Sequence, residues 1–128
     1  MNKECPATVG KIEVLKVDVS DDASVTSAAA ALGGKLGGTK LYGLVNNAGI
    51  GWGNEANTIM NTNVYGVKRM TEAFLPMLDS SSGRVVHLGS GAGPMFVKTQ
   101  DEATITFLST KALTWAELEA YMTENIGK

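Results

Sequence analysis

The chain lacks paired cysteines, basic clusters and long apolar runs, and each absence excludes a class of protein. Cys5 is the single cysteine among 128 residues, so an internal disulfide and a thiolate metal site are excluded, no metal is expected, and a reducing, cytoplasmic compartment fits best. No uncharged apolar run reaches the roughly 18 residues of a membrane span, and the first ten residues lack the apolar region of a secretion signal. We therefore expect neither a membrane segment nor a leader.

The balance of charges excludes a second class. The 11 Lys and Arg residues face 13 Asp and Glu residues, and the net charge of -2 is spread without a basic patch, which argues against a nucleic-acid partner. Apolar residues make up 44% of the chain, as in ordinary globular proteins. A chain of 128 residues forms one modest domain or a part of one.

The apolar pattern predicts alternating strands and helices. Short apolar runs are typical of strands buried on both faces of a parallel sheet, and a strand, a long amphipathic helix and a second strand form a right-handed crossover unit. We therefore predict an α/β fold. The expected elements are a strand at 11–19, a helix from 20 to about 32, a strand at 41–45, a long helix at 57–78 and a strand at 84–88.

Two further helices are predicted after the last strand, at 99–110 and 114–125. The second has the stronger start signal, because Thr114 and Glu117 have the spacing of a capping box. Three glycine-rich turns precede or interrupt these elements, at 33–38, 49–53 and 89–93. None has the complete G-x-G-x-x-G pattern directly after a strand, so none is expected to hold a pyrophosphate.

The most specific local pattern is Asn46-Asn47-Ala48-Gly49, at the end of the second predicted strand. Paired amides at a buried strand end can cross-link neighbouring loops, and Ala-Gly leaves room for a flat ligand against the backbone. Open parallel sheets bind ligands beyond the carboxyl ends of their strands. The alternative is an ordinary turn without a ligand.

Three stretches in order decide the family resemblance. The tetrad is followed by Asn63-Val64-Tyr65-Gly66 on a helix and by a strand that ends in Gly89-Ser90, and Asp18-Val19 closes the earlier strand. In that order they resemble the short-chain dehydrogenase/reductase family over nearly the whole chain. The helix that ends Phe74-Leu75-Pro76-Met77-Leu78 and the helical stretch at 94–126, with its Thr114-x-x-Glu117-Leu118 start, are most similar to the carbonyl reductases.

The resemblance implies a fold and an activity. Residues 1–128 would form one partial Rossmann-type domain, a central fragment with 94–126 as a helical insertion. The complete enzyme would reduce ketones or aldehydes with NADPH, although NAD is not excluded. The implied partner is a small-molecule carbonyl substrate, with self-association or a complementing chain as a further expectation.

The resemblance also assigns roles to single residues. Ser90 would hold the substrate carbonyl oxygen as hydride arrives, and Asn63 would position a water in the proton relay. Asn46, Ala48 and Gly49 would line the adenosine ribose, and Asp18 with Val19 would meet the adenine. The structural alternatives are a turn serine for Ser90, a buried amide for Asn63 and a strand terminator for Asp18; His87 is expected to be a core histidine.

Two parts of the family pattern are missing. A catalytic tyrosine with a lysine four residues later is absent, because Tyr42, Tyr65 and Tyr121 are followed at that offset by Asn46, Arg69 and Asn125. The first strand, its glycine-rich turn and the second strand are absent too. In the family's strand order the strand at 11–19 and the strand at 41–45 are separated by those two strands, so they would pair directly or the first would stay unpaired.

Three hypotheses remain open at this point. The chain is a reductase fragment that is inactive alone, a non-catalytic degenerate or split relative that binds another chain, or a truncated gene product. Sedimentation would distinguish the first two, since a fragment that awaits partners should self-associate or be partly unfolded, while an autonomous binding domain should run as a compact species. The encoding DNA upstream and downstream would settle the third.

Overall fold

The computed structural model describes residues 12–126 and has an α/β fold with a small parallel sheet. The strands pair in parallel, with Gly43 opposite Arg84 and Asn46 opposite His87. This confirms the predicted Rossmann-type layering in an incomplete form. The elements are α1 (Asp22–Leu36), β1 (Gly43–Asn46), α2 (Ala56–Met60), a π-helical turn (Asn61–Tyr65), α3 (Gly66–Phe74), a 3₁₀ turn (Leu75–Met77), β2 (Arg84–His87), α4 (Ala92–Val97), α5 (Glu102–Ser109) and α6 (Trp115–Asn125).

The predicted strand at 11–19 is wrong. Lys11 lies outside the described residues, and residues 12–18 have no regular secondary structure. Ile12 and Val14 are 91% and 89% exposed. The physical reason is that a strand needs a neighbour for its backbone hydrogen bonds, and the described residues supply none beside this segment. The sequence left two outcomes, direct pairing with the strand at 41–45 or no pairing, and the segment is unpaired.

Helix α1 is longer than predicted. Its start follows expectation, because the Asp21 carboxylate accepts a hydrogen bond of 2.6 Å from the Ser24 N–H. Gly33 and Gly34 were expected to end the helix, but they lie inside it. The helix ends at Gly37, because the backbone turns left-handed at that residue, with a φ of 55°.

The predicted long helix at 57–78 forms as a continuous helical path with a change in winding. Residues Asn61–Tyr65 form a π-helical turn between α2 and α3. Such turns are rare and occur frequently at functional sites. Pro76 lies in the closing 3₁₀ turn, as expected from its position in the sequence.

The hydrophobic core lies between the sheet and helices α1 and α3. The expectation that both strands are buried on both faces is wrong, because Val45 and Val86 are 61% and 48% exposed while Leu44 is buried. Successive strand residues point to opposite faces, and α1 and α3 cover one of them. The buried core residues are Val25, Ala28, Ala29, Leu44, Phe74 and Leu78.

The last third of the chain is helical. In α6, the Thr114 hydroxyl accepts from the Glu117 N–H and the Glu117 carboxylate accepts from the Thr114 N–H, which confirms the predicted capping box. Helix α5 starts at Glu102 rather than near Thr99, because the Asp101 carboxylate caps it. Helix α4 was not predicted; the glycines at its start were interpreted as a loop. Within residues 12–126, no helix is long and apolar enough to cross a membrane.

Candidate functional site at the carboxyl ends of the strands

Asn46 joins the ends of both strands to helix α3. It is buried, and its Nδ2 lies 3.1 Å from both Thr71 Oγ1 and His87 Nδ1. The Thr71 hydroxyl donates to the Val67 carbonyl at 2.7 Å, so it must accept from Asn46. The hydrogen-bond network therefore assigns His87 Nδ1 as an acceptor with the ring proton on Nε2. His87 itself is exposed, so its interpretation as a core histidine is wrong.

Asn63 fixes the loop that follows β1. Its Oδ1 accepts from the Ile50 N–H at 2.9 Å, and its Nδ2 donates to the Ile50 carbonyl at 2.8 Å. A Cβ added at Gly49 would lie 3.4 Å from Asn63 Oδ1, so the loop approaches the amide closely. Both polar atoms of the side chain are thus engaged with backbone, as the structural alternative describes. A role in a proton relay stays a prediction.

Val19 packs tightly on the start of α3. A Cβ added at Gly66 would lie 3.0 Å from Val19 Cγ2 and 3.1 Å from the Val19 carbonyl oxygen. This contact closes one side of a groove at the end of β1, which brings three of the predicted cofactor residues together. The groove is lined by Val17, Val19, Val45, Asn46, Asn47, Ala48, Thr62, Gly66, Val67 and Met70. None of these side chains carries a charge, so the groove favours an uncharged, flat group.

Asp18 and Gly49 lie beside this groove rather than in its lining. The Asp18 carboxylate is exposed and accepts from the Ser20 hydroxyl at 2.6 Å and from the Ser20 N–H at 2.9 Å. These two hydrogen bonds, the hydroxyl first, lower the pKa of Asp18 below its ordinary value of 3.8. The residue therefore carries its charge at neutral pH and has local partners in the turn before α1.

Ser90 lies in the loop after β2 and is exposed. The last hydrogen bond between β1 and β2 runs from the Leu88 N–H to the Asn46 carbonyl at 3.0 Å, and Leu88 lies two residues before Ser90. The Ser90 hydroxyl accepts from the Ala92 N–H at 3.2 Å. Ser90 does not line the groove, and the hydrogen bonds of Ser90 and Asn63 go to different partners, Ala92 and Ile50.

Sequence reasoning missed a second groove, between α3, β2 and the start of α6. The Tyr65 and Trp115 rings meet edge to face with centroids 5.6 Å apart, and Lys68 Nζ lies 5.2 Å from the Trp115 ring. The groove has a volume of about 340 Å³ and is lined by Asn63, Val64, Val67, Lys68, Thr71, Glu72, His87 and Trp115. The sequence gives only a weak indication of this groove, because Trp115 is far from the residues of α3 along the chain.

The surroundings of Tyr65 raise the pKa of its phenol. Loss of solvation raises the pKa of its phenol, and the Glu119 carboxylate raises it further by its charge and by a hydrogen bond. A phenol that donates a proton to a carbonyl is aided by a lowered pKa. The environment of Tyr65 acts in the opposite direction.

A strand, crossover helix and parallel strand define a partial Rossmann-type α/β domain, and comparisons with known proteins specify its family. The family model described as short chain dehydrogenase matches residues 1–111. The chain therefore belongs to the short-chain dehydrogenase family of oxidoreductases, as the order of its sequence motifs indicated.

Individual relatives are similar over about two thirds of the chain. A 3beta-hydroxysteroid dehydrogenase of Caenorhabditis elegans is 40% identical over 95 residues, which are 66% of this chain and 24% of that protein. Retinol dehydrogenase 16 of Rattus norvegicus is 33% identical over 67% of this chain and 30% of its own length. A 3-ketodihydrosphingosine reductase of Bacteroides thetaiotaomicron is 34% identical over 72% of this chain and 37% of its own length.

A solved structure agrees with the fold. The crystal structure of NADPH-bound carbonyl reductase from chicken fatty liver matches with a TM-score of 0.55 and 31% sequence identity, over 60% of this chain and 36% of that one. The chain thus spans about a quarter to just over a third of the length of these proteins, and the resemblance to a carbonyl reductase fragment is confirmed.

Proposed function

We propose that this chain is the central part of an NADPH-dependent reductase that converts ketones or aldehydes into alcohols. The observation that carries the proposal is the uncharged groove at the end of β1, which gathers Val19, Asn46 and Ala48. The likeness of the chain to an NADPH-bound carbonyl reductase supports the choice of reaction. The proposed setting is the cytoplasm, with a small carbonyl compound as partner and neither nucleic acid nor membrane.

The groove fits the adenosine part of a nicotinamide cofactor. Val19 supplies an apolar wall, and the exposed backbone at Ala48 and Gly49 leaves space for a flat ring. Asp18, which stays ionised, would accept a hydrogen bond from the adenine amino group. None of the described lining residues is a cation that would hold the ribose 2′-phosphate, the group that NADPH has and NADH lacks, so the groove by itself does not distinguish the two cofactors.

The bound cofactor would supply the hydride, and the residues of this chain would orient the reactants. Asn46 joins the end of β1 to the end of β2 through its contact with His87, and Asn63 fixes the loop that carries Gly49. The Ser90 hydroxyl would donate to the carbonyl oxygen as negative charge develops on it. The proton would come from a tyrosine outside these 128 residues, so the isolated chain is expected to be inactive.

The experiment begins with the encoding DNA. The reading frame is extended upstream and downstream, and a glycine-rich turn and a Tyr-x-x-x-Lys motif are expected in the added sequence. The extended protein is then assayed for NADPH-dependent reduction of a reactive dicarbonyl. Ser90→Ala is expected to lower kcat by roughly 10²- to 10³-fold, the cost of one oxyanion donor. Ser80→Ala, in an exposed turn, is the matched control and should leave kcat unchanged.

Two outcomes would contradict the proposal. One is an extended frame without the Tyr-x-x-x-Lys motif, which would favour the non-catalytic relative. The other is reduction by the isolated chain at enzyme-like rates, since that would require a proton donor within residues 1–128.

A further inference from the structure

The guanidinium of Arg69 in α3 connects three parts of the chain around the groove at the end of β1. Its Nη2 donates to Asn61 Oδ1 at 2.8 Å, and its Nη1 donates to the Asn61 carbonyl at 3.1 Å. A longer contact of 3.4 Å joins Nη1 to the Val19 carbonyl. Its Nε donates to the Asp22 carboxylate at the start of α1. One side chain of α3 thus holds the π-helical turn, the segment that carries Val19 and the first turn of α1.

Asn61 extends this connection to the turn before α1. Its Nδ2 donates to the Ser20 carbonyl at 3.1 Å, while its Oδ1 accepts from Arg69. The Asn61 carbonyl also accepts from the Gly66 N–H, the bond over five residues that makes this turn π-helical. A carbonyl oxygen has two lone pairs, so the same atom accepts from both Gly66 and Arg69. The π-helical turn and the position of Ser20 therefore depend on one group of hydrogen bonds.

These hydrogen bonds hold Val19 against the start of α3. Residues 12–18 have no strand partner among the described residues, so no sheet ladder fixes Val19. Its placement depends on packing against Gly66 and on the hydrogen bonds from Arg69 and Asn61 to the carbonyls of residues 19 and 20. Since Val19 and Gly66 both line the groove, its shape at this side depends on Arg69.

The hydrogen bonds of Arg69 to neutral groups matter more than its ion pair. The side chain of Asp22 is 83% exposed, whereas that of Arg69 is 22% exposed. An exposed ion pair contributes little, because water and salt screen it. A guanidinium presents several N–H groups in one plane, whereas a lysine ammonium is a compact point charge. Only arginine can therefore bind Asn61 and the Val19 carbonyl together in this geometry.

We propose that Arg69 is a positioning residue of the adenosine site, which acts through Asn61 and the Val19 carbonyl to keep one wall of the groove in place. Arg69 itself does not line the groove. The inference rests on the proposed cofactor site and adds a residue to it. Loss of the guanidinium should weaken binding of the adenosine part, whereas Asn63 and Ser90 have hydrogen-bond partners of their own.

The first test uses the 128-residue chain and adenosine, which is uncharged, so that loss of a cation does not by itself alter its attraction to the protein. In a nuclear magnetic resonance titration of the wild type, the Val19 and Ala48 methyl signals should shift. Arg69→Met retains an unbranched apolar side chain without N–H donors and should raise the Kd roughly tenfold. Arg69→Lys lacks the planar fork and should stay roughly threefold or more above the wild-type Kd.

A matched control removes a cation one position earlier. Lys68→Met takes away the pair with Glu72 and should leave the Kd within about twofold of wild type. Circular dichroism checks that each variant folds. If Arg69→Met does not fold, the comparison of Arg69→Lys with wild type decides alone.

A second test separates positioning from loss of fold. In the extended protein, Arg69→Met should raise the KM for NADPH roughly tenfold and leave kcat within about twofold, because it removes binding that is equal in the ground state and the transition state. Partial unfolding would instead lower the active fraction, and so kcat, with KM unchanged. Asp22→Asn removes only the exposed ion pair and should leave both constants unchanged.

Three results would overturn the inference. They are a wild-type chain that does not bind adenosine at this groove, an equal Kd for wild type and folded Arg69→Met, and a loss of kcat in Arg69→Met without a change in KM. Weaker adenosine binding by Arg69→Met, together with an extended protein that reduces no carbonyl compound, would support this inference and refute the proposed function. An active extended protein in which Arg69→Met keeps the wild-type Kd and KM would do the reverse.

Discussion

Two glycine-to-alanine substitutions in helices test the contact between Val19 and Gly66. Replacing glycine by alanine in a helix interior stabilises it by about 1 kcal/mol. At Gly34 in α1 an added Cβ would meet nothing within 4 Å, so Gly34→Ala should show this full gain. At Gly66 the same atom would lie 3.0 Å from Val19 Cγ2 and 3.1 Å from the Val19 carbonyl oxygen.

The magnitudes decide the sign at Gly66. Overpacking of this kind costs about 1–3 kcal/mol, which offsets or exceeds the helix gain. Gly66→Ala should therefore range from neutral to about 2 kcal/mol less stable than wild type, and it should lie about 1–3 kcal/mol below Gly34→Ala. The large difference between the two variants comes from one intramolecular contact, because both changes add the same methyl group.

Urea unfolding followed by circular dichroism measures this difference. With an m-value of about 1–3 kcal/mol/M for a small domain, the two midpoints should differ by on the order of 1 M. Equal stabilisation by both substitutions would refute the packing of Val19 on α3. The groove at the end of β1 would then lose one of its walls, and the proposed adenine contact with it.

Three further predictions concern the hydrogen bonds from Asn63 to the loop after β1, the effect of Asp79 on stability in acid, and the capping box of α6. Asn63→Leu should lower the free energy of unfolding by about 1–3 kcal/mol and speed amide exchange at Ile50, because it leaves the Ile50 N–H and C=O without their partner. Asn57→Ala, on the exposed side of α2, is the control and should change neither quantity. Equal exchange rates at Ile50 in the two variants would show that Asn63 does not hold this loop. The hydrogen bond from the Ser81 hydroxyl, followed by those from the Ser82 N–H, the Ser82 hydroxyl and the Ser81 N–H, holds the pKa of Asp79 well below 3.8. The stabilisation that these hydrogen bonds give the folded state is therefore complete above pH 3.8 and is lost as the pH falls below it. Asp79→Asn should make the acid-induced loss of stability shallower in pH-dependent urea melts, and an unchanged slope would contradict the assignment. Thr114→Ala should cost about 1 kcal/mol and speed exchange in the first turn of α6. Thr110→Ala serves as the control, because Thr110 caps the carboxyl end of α5 through its backbone N–H, which the substitution keeps. Equal effects would argue against the capping box.

Local interactions in this chain could be predicted from the sequence. The capping box of α6 follows from two residues three positions apart, and the start of α1 follows from an acidic cap, because both depend on neighbours along the chain. The pairing of β1 with β2 was also expected, since a strand, a crossover helix and a strand have one favoured handedness. Here hydrophobic period and cap chemistry agree with the final fold.

Features that depend on distant partners were not predicted correctly. The alternating residues at 11–19 have strand propensity, but strand structure requires a neighbouring ladder, and none is present among the described residues. Exposure of Val45 and Val86 likewise depends on what covers the second face of the sheet. Gly33 and Gly34 were interpreted as helix breakers because glycine permits a left-handed turn, although it does not require one.

The sequence by itself determined the family, through the order of Asn46-Asn47-Ala48-Gly49, Asn63 and Ser90 along alternating strands and helices. Only the tertiary structure decided how these residues are used, because hydrogen-bond partners across a sheet edge are far apart in the chain. It engages both polar atoms of Asn63 with Ile50, joins Asn46 to Thr71 and His87, and pairs the Ser90 hydroxyl with the Ala92 N–H. Among residues 12–126 it also pairs β1 with β2 alone, since strand pairing is a property of neighbours in space and not of the strand's own residues.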